Sequence, residues 1–203
     1  MNRLLKRAMT GALAALGAGA AATLAVRAMR FAPPVEKPRA IEPVDVDIDA
    51  AADHLARLIR CKTVSNVDPA LEDDAEFEKL VGMLPELYPH VFEACSLMRM
   101  DGRALLFRWP GRELGRPAIL MAHYDVVPVD EDAWEHDPFG GELVDGALWG
   151  RGALDTKVTM NGILSAANAL IAGGFVPKRD VYFAFSGSEE VNGPGAAHIV
   201  DWF

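Results

Sequence analysis

Residues 118–125 read Ala-Ile-Leu-Met-Ala-His-Tyr-Asp and carry the strongest indication of how this chain folds. The run 118–122 is continuously apolar, which predicts a central strand of a sheet covered on both faces. His123 and Asp125 follow at its carboxyl end, and residues two apart in a strand face the same side. Because open α/β sheets bind ligands at the carboxyl ends of their strands, this end is a candidate site.

Helices and strands alternate along the chain on both sides of this strand. Apolar periodicity and turn residues predict the following elements: helices over 50–60 and 73–87, a strand over 104–109, a hairpin over 142–149 that turns at Asp145-Gly146, a helix after Asp155 that stops at Gly173-Gly174, a strand over 181–185, and a helix that begins near Gly195. This alternation predicts the α/β class.

The composition is that of an ordinary globular protein. Of the 203 residues, 51% are hydrophobic and 24% are charged, which excludes a disordered acidic tail, a collagenous repeat and a multispan membrane protein. Residues 1–40 carry seven basic side chains and one acidic side chain, so the net charge of -9 leaves -15 on residues 41–203. A body this acidic repels phosphate backbones, and we expect no nucleic-acid partner.

Residues 8–26 are uncharged and rich in alanine, and they follow a basic start at Arg3, Lys6 and Arg7. A helix of this length reaches roughly 28 Å, close to a hydrocarbon core of about 30 Å. Three interpretations stay open: an uncleaved signal anchor, a cleaved signal peptide and a soluble helix. Arg27 and Arg30 favour a membrane anchor with the body outside the cytoplasm; a cleaved segment would leave it secreted or periplasmic.

The chain therefore divides into three parts. Residues 1–30 form the signal anchor or signal peptide, residues 31–49 form a proline-rich extended linker, and residues 50–203 form the body. The only cysteines, Cys61 and Cys95, do not lie in a Cys-x-x-Cys pattern, so no thiolate metal site is indicated. Whether these two cysteines pair stays open.

Three short motifs carry residue types that suit metal chemistry. In His123-x-Asp125, the carboxylate can hold the second N–H of a metal-ligating imidazole. In Gly150-Arg-Gly-Ala-Leu-Asp155, the aspartate precedes a helix, where a simple helix cap is the alternative. In Glu189-Glu190, after the strand 181–185, one carboxylate can bind a cation while its neighbour accepts a proton from water.

All three motifs fall at strand ends or in the loops that follow, on the side where a sheet binds its ligands. Imidazole and carboxylate without thiolate suit zinc, cobalt or manganese. A carboxylate that bridges two ions about 3.5–4 Å apart would make the site a two-metal hydrolase.

With the motifs in this order, the chain resembles a family of co-catalytic zinc metallopeptidases. The segments MAHYDVVPVD, WEHDPFGGELVDGALWGRGALDTK and FSGSEEVNGPGA are similar to those of aminoacylases, glutamate carboxypeptidases and succinyl-diaminopimelate desuccinylases. The resemblance covers roughly residues 45–203. The apolar amino terminus and the RFAPP that follows are most similar to the membrane-anchored or secreted carboxypeptidase-like branch.

The resemblance implies a role for five residues. His123 would ligate one zinc ion, and Asp125 would orient it. Asp155 would bridge both ions, Glu190 would ligate the other ion, and Glu189 would be the general base that activates the water. The implied cofactor is two Zn²⁺ per complete site, with Co²⁺ or Mn²⁺ as substitutes. The implied reaction is hydrolysis of a peptide or N-acyl amino acid amide bond.

The resemblance also implies a mixed central sheet flanked by helices, and parts that residues 50–203 do not supply. These parts are a further acidic ligand, a carboxyl-terminal histidine, and an inserted lid domain that covers the substrate and forms a homodimer. We therefore expect an amino-terminal fragment of the catalytic domain that is inactive alone. The alternatives are a truncated inactive product and a non-catalytic metal-binding module. We expect structural roles for Trp134, His136 and residues 137–139, and no ligand role for His54, His90 or His198.

Overall fold

The computed structural model of this protein describes residues 3–31 and 46–203. Most of the predicted linker 31–49, with its four prolines, lies outside the described residues. The described residues belong to two units, which divide between Pro43 and Val44 and are treated separately below.

The first unit contains one long helix, α1 (Arg3–Arg30). Among the described residues, none of the helices combines the length and the apolar character that crossing a membrane requires. The predicted membrane anchor over residues 8–26 is therefore not supported. The extracytoplasmic location stays a prediction from the sequence.

The second unit contains the remaining helices and strands. In chain order these are α2 (Ile48–Ile59), α3 (Asp74–Leu87), α4 (Pro89–Ala94), β1 (Ser96–Met100), β2 (Ala104–Trp109), β3 (Ala118–His123), β4 (Glu142–Val144), β5 (Ala147–Trp149), α5 (Lys157–Ala172), β6 (Val181–Ser186) and α6 (Gly195–Trp202). This order confirms the α/β class. The sequence did not predict α4 or β1.

A four-stranded mixed sheet forms the centre of this unit, in the order β1-β2-β6-β3. The β1–β2 and β2–β6 pairs are antiparallel, whereas β3 and β6 are parallel. In the part of the chain that the structure describes, β3 is an edge strand rather than the central strand predicted over 118–122. Ile119, Leu120 and Met121 are 41–62% exposed. An apolar run shows that a strand suits burial, but it does not show which strands lie beside it.

Helices cover both faces of the sheet. Alternate residues of β2 point to opposite faces: Leu105 and Phe107 pack with the residues of α3, α4 and α5, whereas Leu106 packs with Ile199 of α6. Both cysteine thiols are free, and Cys61 lies in the larger core.

The parallel pairing of β3 and β6 decides where the site lies. Their register runs from Ala118 opposite Val181 to His123 opposite Ser186, so both strands end at the same level. The Tyr124 N–H donates to the Ser186 carbonyl at 2.9 Å, and this hydrogen bond holds the carboxyl ends of β3 and β6 together. The segments that follow β3 and β6 therefore meet at one end of the sheet.

Candidate metal centre

Three side chains from different segments converge at this end of the sheet. His123, Asp155 and Glu190 each offer one ligand atom, and these atoms lie within 4.8 Å of one another. His123 Nε2 lies 3.0 Å from Asp155 Oδ1 and 3.7 Å from Glu189 Oε2. The structure thus brings together the three ligand candidates from the sequence, and it places Glu189 beside them.

Asp125 lies behind His123 and is fully buried. Its Oδ1 lies 3.4 Å from His123 Nδ1 and accepts a hydrogen bond from the Glu189 N–H at 3.1 Å. Its Oδ2 accepts from the Glu190 N–H at 3.0 Å and from Ser65 Oγ at 2.8 Å. The Asp125 main-chain carbonyl also lies 3.1 Å from His123 Nδ1. Asp125 therefore holds the imidazole through its carbonyl and its carboxylate, and the carboxylate also holds the backbone of the glutamate pair.

The charges of these groups are strongly coupled. Burial lowers the pKa of His123, but hydrogen bonds to Asp125 and Asp155 outweigh burial and raise the pKa to about 9. Burial raises the pKa of Asp125, but hydrogen bonds from His123, Ser65 and the two backbone N–H groups outweigh it, so the pKa is lowered. The pKa of Glu190 is raised by burial and by the negative charges of neighbouring carboxylates.

The donor set fits a divalent cation. Four carboxylates surround one imidazole, so even a protonated His123 leaves an excess of negative charge. Nδ1 of His123 faces Asp125 while Nε2 faces Asp155, which is the arrangement in which a histidine binds a metal through one nitrogen and is held through the other. Imidazole with carboxylate oxygens suits zinc, manganese or cobalt.

The loop before α5 places Asp155 at the centre. A Cβ on Gly150 would lie 2.5 Å from Ile59 Cγ2, so this close approach requires glycine. The helix cap position is Thr156 rather than Asp155, and its side chain makes no cap hydrogen bond. Asp155 is therefore not a simple helix cap. Its side chain is 77% exposed and faces His123.

Lys157, two residues after Asp155, anchors this loop to the end of α2. The sequence did not identify Lys157 as a residue of the site. Lys157 is fully buried, and its Nζ donates to the Leu58 carbonyl at 2.9 Å and the Cys61 carbonyl at 2.6 Å, at the end of α2. Burial lowers its pKa to about 8. The only sequence signal was its position two residues after Asp155, because the contacts to α2 span nearly a hundred residues.

The loop over 134–139 packs against the β4–β5 hairpin. The ring of His136 lies 4.5 Å from that of Trp149, and its Nδ1 lies 3.2 Å from Glu142 Oε2. The Arg151 guanidinium lies 5.3 Å from the centre of the Trp134 ring. These contacts agree with a structural role for the loop.

The other histidines lie away from the centre. His54 packs edge-on against Tyr88. His90 lies beside Glu93, and His198 Nδ1 lies 2.8 Å from the Asp101 carbonyl. Among the described residues, the metal-ligand cluster includes none of these three side chains.

An open cleft of about 310 Å³ adjoins the candidate centre. Its lining includes His123, Asp155 and Glu189 together with the apolar side chains of Met121 and Ile199. The cleft lies between the exposed edge of β3 and α6, so the ligand atoms are accessible to a molecule from solvent.

The chain is similar to several known proteins. Residues 119–203 match the model described as Peptidase family M20/M25/M40. The chain is 35% identical over 157 residues to Probable carboxypeptidase S-like 2 of Dictyostelium discoideum, covering 75% of this chain and 30% of that protein. It is 38% identical over 125 residues to an N-fatty-acyl-amino acid synthase/hydrolase of Danio rerio, covering 59% of this chain and 24% of that protein.

Solved structures show the same fold. Human carnosine dipeptidase 1 superposes with a TM-score of 0.63 at 22% sequence identity, over 75% of this chain and 35% of that chain. At this identity the likeness concerns the fold alone. The chain thus spans about a third or less of the relatives that it matches.

Proposed function

We propose that the protein is a metal-dependent hydrolase that cleaves a peptide or an N-acyl amino acid at its amide bond, since residues 119–203 match the model described as Peptidase family M20/M25/M40. The observation that carries the proposal is the convergence of His123, Asp155 and Glu190 within 4.8 Å, with Glu189 beside them. The names of the curated relatives, a carboxypeptidase and a fatty-acyl amino acid hydrolase, support this substrate class.

The cofactor in this proposal is Zn²⁺, two ions per complete site, with Co²⁺ or Mn²⁺ as substitutes. His123 through Nε2 and the carboxylates of Asp155 and Glu190 would hold it. A divalent cation in such a site polarises a carbonyl oxygen and lowers the pKa of water. Two ions would need more donors than these three side chains supply, so a second ion would also require further ligands.

Asp125 and Glu189 have separate roles in the proposed mechanism. Asp125 keeps the proton of His123 on Nδ1 and leaves Nε2 free for the cation. The backbone of Glu189 is fixed by its hydrogen bond to Asp125, while its carboxylate is 56% exposed toward the cleft. The backbone of Glu189 is therefore fixed, while its carboxylate is open to the cleft. This carboxylate can take a proton from water and deliver it to the leaving nitrogen.

The substitution Glu189→Gln in the full-length protein tests this assignment. We expect hydrolysis of N-acyl amino acids to fall about 10²–10⁴-fold, the usual contribution of a general base, while the metal content stays unchanged. The matched control is Glu113→Gln, since Glu113 pairs with Lys178 and Arg179 away from the centre. Unchanged turnover in Glu189→Gln would contradict the general-base role.

The 203 residues alone are proposed to bind a cation without turnover, because they supply only part of the proposed ligand set. Metal-dependent hydrolysis of an N-acyl amino acid by the purified 203-residue chain would contradict this. A homodimer formed through a lid domain stays a prediction from the sequence.

A further inference from the structure

We propose that Ser65 is a positioning residue of this site, which fixes the Asp125 carboxylate so that it can hold His123 and the Glu189–Glu190 backbone at once. The inference deepens the proposed metal-dependent function and rests on it. Ser65 lies in the segment after α2, far along the chain from the strand ends that form the centre.

The backbone around Ser65 is itself fixed. Val64 and Val126 form an isolated parallel bridge. The Ser65 N–H donates to the Val126 carbonyl at 3.0 Å, and the Val126 N–H donates to the Thr63 carbonyl at 2.9 Å. Ser65 is 1% exposed, and its hydroxyl donates to Asp125 Oδ2 at 2.8 Å. The hydroxyl therefore reaches the carboxylate from a position that the fold determines.

The other donors to Asp125 cannot fix the orientation of its carboxylate in this way. His123, Glu189 and Glu190 are the groups that the carboxylate has to align. Among the described residues, Ser65 is the one donor to this carboxylate that lies outside the carboxyl ends of β3 and β6 and the segments that follow them. Without its hydroxyl, Oδ2 keeps one donor, the Glu190 N–H. The Asp125 main-chain carbonyl then stays 3.1 Å from His123 Nδ1, but rotation of the carboxylate moves Oδ1 away from this nitrogen and from the Glu189 N–H.

The same segment contains a matched control. The Thr63 hydroxyl is also fully buried, and it donates at 2.6 Å to the Tyr124 carbonyl. Ser65→Ala and Thr63→Val each remove one buried hydroxyl from the same short segment. The first hydrogen bond ends on the Asp125 carboxylate and the second on the main chain, so the pair separates positioning of the site from general stability.

The test is titration of the metal-free, full-length protein with Co²⁺, followed by calorimetry and by the visible absorption of the bound ion. We expect Ser65→Ala to weaken Co²⁺ binding about 10-fold, the lower end of the effect of groups that orient metal ligands, and to change the absorption spectrum. Thr63→Val should lower the unfolding midpoint but leave the affinity within about 2-fold. If Ser65→Ala cannot be purified, Ser65→Cys replaces it, because a thiol of similar volume is a weaker donor.

The outcomes separate this inference from the proposed function. Equal Co²⁺ affinity and spectrum in the parent and Ser65→Ala would overturn the role of Ser65 and leave the metal centre intact. Equal loss of affinity in Thr63→Val and Ser65→Ala would also overturn it, since the effect would then be one of stability. A parent protein that binds no Co²⁺ would overturn the proposed metal centre and this inference with it.

Discussion

The candidate metal centre has two halves that are held in different ways. We call Ser65, His123 and Asp125 the floor, and the carboxylates of Asp155, Glu189 and Glu190 the rim. The floor is buried, and Asp125 is in contact with two backbone N–H groups, a hydroxyl and an imidazole. In the rim, Asp155 and Glu189 are 77% and 56% exposed, and both face His123.

This difference shows that folding and ligand binding act on different parts of one site. The floor takes its geometry from packing and hydrogen bonds that form as the chain folds, because its groups are satisfied by protein donors. The pKa of Glu190 is raised by burial and, in addition, by the like charges that the rim brings together. A cation bound by the rim carboxylates would therefore reduce the repulsion among them that remains after folding.

Isosteric substitution of the two aspartates gives the largest expected contrast. Asp125→Asn should lower the free energy of unfolding by about 2–4 kcal/mol, because the new amide group would meet buried donors that now bind a carboxylate. Asp155→Asn should change it by less than about 0.5 kcal/mol, as expected for an exposed side chain. Urea unfolding with a chelator present measures both. Equal losses would remove the distinction between floor and rim.

The pH dependence of stability tests the buried Lys157, which lies beside the loop that carries Asp155. The pKa of Lys157 is lowered to about 8 in the folded state, below its ordinary value of 10.5. The unfolded chain therefore binds this proton more tightly, so burial of the charge destabilises the fold below about pH 8, and this penalty falls between pH 8 and 10.5.

The stability of the parent relative to Lys157→Met should consequently rise across that interval, by roughly 3 kcal/mol at most. Asn161→Leu is the matched control, since Asn161 also donates from α5 to α2, to the Ala51 carbonyl at 2.9 Å, without an ionisable group. A difference between the parent and Lys157→Met that does not depend on pH would contradict a charged, buried Lys157.

The pH dependence of cation affinity tests His123, the floor residue that lies beside the rim carboxylates. The pKa of His123 is raised to about 9 in the metal-free protein, and a metal ligand has to be neutral. Apparent Co²⁺ affinity should therefore increase by about 10-fold per pH unit as the pH rises toward 9, and then level off. Titrations in matched buffers measure this. An affinity that levels off near the ordinary histidine pKa of about 6.5 would contradict the coupling to Asp125 and Asp155.

Removal of one rim charge gives the smallest effect. Glu190→Gln should stabilise the metal-free protein slightly, by no more than about 0.5 kcal/mol, because it relieves repulsion that solvent already screens. The same variant should lose most of the stabilisation that Zn²⁺ gives the parent. Thermal unfolding with and without Zn²⁺ measures both effects. Equal stabilisation of both proteins by Zn²⁺ would place the ion elsewhere.

The sequence predicted the three rim residues and also His123 and Asp125 of the floor, but not Ser65 or the buried Lys157, for a physical reason. Asp155 and Glu190 stand next to a helix start and a strand end, which local patterns reveal. The contacts of Ser65 with Asp125 and of Lys157 with α2 join residues 60 and 99 positions apart, so they depend on packing that no local pattern encodes. The edge position of β3 was missed for the same reason, because its composition does not determine its neighbours.

Anomalous diffraction at the zinc edge, from crystals of the full-length protein grown with Zn²⁺, tests the central claim most directly. We expect two zinc peaks, one about 2.0–2.2 Å from His123 Nε2 and an Asp155 carboxylate oxygen, and the other at the same distance from carboxylate oxygens of Asp155 and Glu190. A bound zinc ion that contacts none of these three side chains, or no zinc peak within bonding distance of His123, would contradict this claim.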